Sequence, residues 1–102
     1  MSTNQHIITL QEAETMTHAY QNASQFQDLT IAVCIDNDAY QQVLDQQGCI
    51  SVRTYFGLDA DGKLTIVVVG VDDQGEDMTS GILLNHGYKC PAKCPNNSSL
   101  IE

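Results

Sequence analysis

The residues best equipped for chemistry sit together near the end of the chain, in His86-Gly-Tyr-Lys-Cys90-Pro-Ala-Lys-Cys94-Pro. One imidazole and two sulfurs recur every four residues, and Cys-x3-Cys falls within the spacing used by one half of a zinc site. Lys89 and Lys93 flank the cysteines and would favour the thiolate, the form that binds metal. A structural zinc site needs four protein ligands, and no second Cys/His pair follows. His6, His18, Cys34 or a second subunit would have to complete it. Zinc, or a redox pair of thiols, is thus one reading of His86, Cys90 and Cys94. The plainer reading, a short tail whose thiols pack or stay free, is the expectation, and no cofactor is expected with it.

Arg53 is the only arginine and stands two residues from Tyr55. A guanidinium held on a strand can grip a carboxylate or phosphate with paired hydrogen bonds, so Arg53 and Tyr55 are candidates for binding a small anion. The competing expectation is an ion pair with an acid of the same chain. Asp59-Ala-Asp61-Gly62 and Asp72-Asp-Gln-Gly75-Glu-Asp77 invite a calcium reading, but neither fits the EF-hand ligand spacing. Both read better as turns in which Asp bonds the local backbone and Gly takes positive φ. Cys34 and Cys49 lie in or beside apolar runs, where a thiol usually serves as a small hydrophobe. Phosphate-binding Gly loops, G-x-S-x-G and H-E-x-x-H are all missing, so no residue is assigned a catalytic role and a non-enzymatic protein is favoured.

These residues must be positioned by one small domain, because 102 residues leave little room for a second core. The net charge of −9 repels phosphate backbones and anionic lipid, which argues against nucleic acid and membrane surfaces as partners. The first residues lack the pattern of a signal peptide, and no apolar run has the length of a membrane span. A cytoplasmic location follows as the expectation. In that reducing compartment, thiols or metal ligands are expected before a disulfide.

The centre of the chain is a hairpin over 49–71. Ile50, Val52, Thr54 and Phe56 alternate with polar positions, Asp61-Gly62 marks the turn, and Leu64–Val71 is apolar on both faces. The second of these strands should therefore be central in its sheet. Thr9-Leu-Gln-Glu12 is a capping box, which predicts a helix over about 10–24 with Leu10, Ala13, Met16 and Tyr20 on one face. Residues 25–28 read as its exit. Residues 29–35 read as a strand, and Asp36 or Asn37 as the cap of a second helix over 37–47, ended by Gly48. That order suggests a βαβ crossover, making 29–35 and 50–56 a parallel pair. Ile82-Leu-Leu84 fits either a strand or a helical turn. Residues 1–8 read as a mobile N-terminus and 88–102 as an irregular Cys/Pro tail. The fold class is α+β, a small sheet centred on the hairpin and packed by two helices.

The run Gly48-Cys-Ile-Ser-Val-Arg-Thr-Tyr-Phe-Gly, with Cys90-Pro-Ala-Lys-Cys94-Pro at the end, resembles a group of small uncharacterised bacterial proteins of about this length. The resemblance covers most of the chain, from Thr9 to Cys94, and implies no activity or ligand. The expected function is an acidic, cytoplasmic binding or protein-interaction module. Exposed edges of so small a sheet point to a homodimer; any other protein partner is unknown.

Overall fold

A computed structural model describes residues 4–23, 25 and 29–102 of the chain. The capping box forms: the Thr9 hydroxyl accepts from the Glu12 amide at 3.1 Å, and the Glu12 carboxylate accepts from the Thr9 amide at 3.0 Å. It starts α1 (Leu10–Asn22). Ser24, at the expected helix end, residues 26–28 of the expected exit, and residues 1–3 of the expected mobile start lie outside the described residues.

α1 is followed by β1 (Ala32–Cys34), α2 (Asn37–Leu44), β2 (Ser51–Leu58), β3 (Leu64–Val71), β4 (Leu83–Leu84) and β5 (Tyr88–Cys90). The fold is α+β, and the described residues form two helices and two antiparallel sheets. The first sheet has the order β2-β3-β4, and β3 is central as its two apolar faces require. Leu58 pairs with Leu64 and Ser51 with Val71 across an eight-residue ladder. The turn closes as its residues dictate. The Asp59 carboxylate accepts from the Asp61 and Lys63 amides, both at 2.9 Å, and Gly62 takes φ 77°. Asp72 repeats the device with the Gln74 and Glu76 amides, and Gly75 takes φ 79°. The acids that suggested calcium are thus occupied in shaping two turns.

The parallel crossover does not form. β1 pairs with β5, antiparallel, and not with β2: Ala32 lies opposite Cys90 and Cys34 opposite Tyr88. The tail is therefore not wholly irregular, since three of its residues make a strand. The connection between the expected strands, residues 36–49, is near the shortest that can return a parallel strand, about a dozen residues, whereas an antiparallel partner imposes no such limit. Ile82-Leu-Leu84 resolves as the short strand β4, with Leu83 opposite Val69.

Val43 of α2 is fully buried, as is Val68 of β3, and Val69 and Val71 are nearly so. α2 lies against this sheet, and Gln46 just beyond it fills the space over Gly70, where an added Cβ would stand 2.9 Å from the Gln46 amide nitrogen. The Gln46 side chain also accepts from the Ile82 amide at 2.8 Å, pinning the approach to β4. α1 behaves differently from its periodicity. None of its residues is buried, and Leu10 and Met16 are exposed. Its attachments are polar: the Tyr20 hydroxyl to the Thr30 carbonyl at 3.0 Å and, at the chain's end, His18 to the Ser99 carbonyl at 2.8 Å and Gln21 to the Leu100 carbonyl at 2.9 Å.

Candidate functional sites

β2 sets the first site. Side chains alternate across a strand, so Arg53 and Tyr55 share one face with Val67, Val69 and Val71 of β3. The Asp72 turn sends the chain back along β3 and brings Asp77 opposite Val71. From there Asp77 engages both side chains: the Arg53 guanidinium and the Tyr55 hydroxyl donate to its two carboxylate oxygens. A second Arg53 nitrogen reaches the Gly75 carbonyl at 3.4 Å. The hydrogen bond to Asp77 holds the Tyr55 phenol above its ordinary ionisation range and keeps it a donor. Arg53 does grip a carboxylate, but one from its own chain. An external anion would have to displace Asp77. The group spans the valine-lined face of β3 as a polar strap.

The second site joins the tail to β1. Cys90 and Cys94 form a disulfide, which departs from the expectation of free or metal-binding thiols. Three residues lie between them, and the turn is held by the Lys93 amide donating to the Lys89 carbonyl at 2.9 Å. While the two sulfurs are bonded to each other, neither offers a thiolate to zinc. His86 is exposed at φ 55°, and no group of three or more His, Cys, Asp or Glu among the described residues is placed to hold a metal ion. The zinc donor set of His86, Cys90 and Cys94 does not fit this oxidised arrangement. Cys34 differs from the buried thiol expected of it: it is free, exposed, and lines one open groove with Cys94, Tyr88, Lys93 and Pro95. Cys49 is free and half-buried.

The third is a cleft of about 300 Å³ between the two sheets. Ile31 and Val33 form one wall and Phe56, Leu64 and Ile66 the other, with Tyr20 at the side. The Tyr20 hydroxyl donates to the Thr30 carbonyl at 3.0 Å. Polar groups with which to orient a small ligand are few here, so the cleft offers apolar surface rather than chemistry. Phe56 continues that surface outward at 80% exposed, followed by Leu58 at 72%, and Ile50 at the opposite end of the strand is 68% exposed.

No family model, curated protein or solved structure matches the chain. Residue roles therefore rest on geometry alone. Arg53 and Tyr55 are together as their spacing suggested, but their partner Asp77 had no sequence signal beyond being one acid among thirteen. Cys34 was set aside because a thiol in an apolar run usually packs inward; its strand is at the surface and turns it out. Among the described residues no helix is long and apolar enough to cross a membrane.

Proposed function

We propose that this chain is an acidic, non-enzymatic, cytoplasmic protein-interaction module whose primary partner is a second copy of itself, joined through β2. The observation that carries this reading is that β2 is an eight-residue edge strand with large apolar side chains left in solvent. Natural sheets seldom leave such an edge open, because its unpaired amides and carbonyls template another strand. The surface area supports it. The chain exposes 7728 Å², whereas a folded monomer of its mass exposes about 5,700 Å². The radius of gyration, 15.4 Å, exceeds the roughly 13 Å of a compact 100-residue domain. The excess area is shared between β2 and other open surface, α1 among it.

Charge is arranged compatibly. β2 contains no acid, and Arg53, its one charged residue, is already paired with Asp77. Two copies can approach there without setting carboxylates against each other, although the net −9 on each makes association stronger at higher salt. The same field disfavours nucleic acid and anionic membranes. A two-fold axis across β2 would make one antiparallel sheet of both copies, with Phe56 and Leu58 near the join.

Sedimentation equilibrium across a dilution series tests this. A species of twice 11.2 kDa that dissociates on dilution is expected. A well-behaved monomer at every concentration would refute self-association and direct attention to a different protein on the same edge.

A further inference from the structure

We propose that Cys34, Cys90 and Cys94 form a thiol–disulfide exchange site, with Cys34 as the attacking thiol and Cys94 as the sulfur attacked. The antiparallel register decides the neighbourhood. Ala32 faces Cys90 and Cys34 faces Tyr88, so Cys34 and Cys90 project from the same face of the ribbon as a diagonal pair. Diagonal neighbours in such a ladder stand about 7–8 Å apart at Cα and less at Cβ, which sets the Cys90 end of the disulfide beside Cys34, and a new bridge to Cys34 requires a small backbone shift. Cys34 is free and exposed, while Cys90 is 1% exposed. Cys94 is the exposed end of the disulfide, and it shares the open groove with Cys34. Lys93 lines that groove as well, while Lys89 is turned away to Asp59 at 3.2 Å.

The step needs no external oxidant. Cys34 gives its proton to water, and the thiolate attacks Cys94 Sγ. The Cys34–Cys94 bond forms as the Cys90–Cys94 bond breaks, and Cys90 leaves as a thiolate that takes a proton from water. One disulfide and one thiol are present before and after. What changes is the span of the bridge. Cys90–Cys94 closes a local turn, whereas Cys34–Cys94 joins residues about sixty apart and staples β1 to the tail. Disulfides in reducing compartments are usually transient and catalytic or redox-sensing, which suits a bridge that moves. This inference does not depend on self-association through β2.

The test uses the unmodified full chain and its second free thiol, Cys49, as an internal control. Oxidised protein is held without air in a buffer of reduced and oxidised glutathione at about pH 8, then quenched with N-ethylmaleimide. Trypsin, cutting after Lys89 and Lys93, separates Cys90 from Cys94, and chymotrypsin, cutting after Tyr40, separates Cys34 from Cys49. Mass spectrometry then reads the ratio of Cys34–Cys94 to Cys49–Cys94 cross-links. In guanidinium the ratio should lie within about twofold of one, because the two chain separations are similar. In the folded chain it should rise about tenfold or more above that, the effect of holding two groups adjacent. A smaller rise, or Cys34 alkylated throughout, overturns the proposal.

Discussion

Phe56→Ser separates the two places an exposed aromatic can matter, the fold of one chain and the junction between two. Phe56 lies on β2 opposite Ile66 and is 80% exposed. An aromatic side chain offers about 200 Å² for burial, so roughly 160 Å² of it stands in water. If a two-fold junction covers half of that on each copy, the two copies together lose about 160 Å² of burial when it is replaced. At about 25 cal/mol per Å², this weakens association by about 4 kcal/mol, or roughly a thousandfold in Kd. The folded monomer should lose no more than about 1 kcal/mol, since little of the ring is buried within it. Sedimentation equilibrium reads the first effect, and urea denaturation, well below the dimer Kd, reads the second. Leu83→Ser on β4, 52% exposed but remote from the β2 edge, serves as the control and should leave Kd unchanged. A dimer whose Kd moves less than about threefold on Phe56→Ser, with far-UV circular dichroism unaltered, would refute the placement of the junction. A large loss of monomer stability would instead make Phe56 part of the inter-sheet core.

Other substitutions probe how the sites are held. Val43→Ala removes two buried carbons from the side chain that seats α2. Transfer and cavity costs together give about 2–3 kcal/mol, and calorimetry should show Tm lowered by roughly 10–20 °C. Asp59 is held below the ordinary carboxylate range, first by the Lys63 amide and further by Lys89 and the Asp61 amide. Its folded value lies below its unfolded one, so its stabilisation is present above about pH 4 and lost as pH falls through the folded value. Thermal melts should therefore be less acid-sensitive in Asp59→Asn than in the parent chain. Asp77→Ala removes the acceptor that keeps the Tyr55 phenol protonated, and the onset of one tyrosine's phenolate absorbance should move to lower pH. If that titration is unchanged, the contact between Tyr55 and Asp77 is not maintained in solution.

Sequence alone carried the local structure well, because its signals act within a few residues. Thr9 and Glu12 meet inside one helical turn, and Asp59 and Gly62 meet inside one loop. The two-faced apolar run of β3 marks a central strand wherever its neighbours come from. What depends on distant pairing was not legible. Tyr88-Lys-Cys90 has no alternation to show that it is a strand, being three residues long and followed by proline; only its pairing with Ala32–Cys34 makes it one. The stripe on α1 reports which residues share a face and says nothing about whether that face is covered, and Leu10 and Met16 stay in water. Asp77 reaches Arg53 across 24 residues because a second tight turn folds it back beside Val71, a placement no spacing rule supplies.

The division into two sheets gives the proposed sites a common physical setting. Among the described residues, the β2-β3-β4 sheet with α2 contains four of the five buried hydrophobic positions: Val43, Val68, Val69 and Val71. The β1–β5 ribbon contributes only Cys90. Among the described residues no strand hydrogen bonds join the two sheets, and between them lie the apolar cleft and the ion pair from Lys89 to Asp59. An ion pair at a partly exposed seam is screened by salt and holds weakly, so the ribbon is the part of the fold most easily shifted by a local change. A disulfide that closes only its own turn adds nothing across β1 and the tail, whereas one that reaches Cys34 would tie them together. Phe56 belongs at once to the cleft wall and to the open face of β2. A change in how the ribbon seats against that wall would therefore alter the surface on which a second copy is proposed to dock. Dimer strength measured with the bridge reduced, and again with it oxidised, would show whether the two sites communicate.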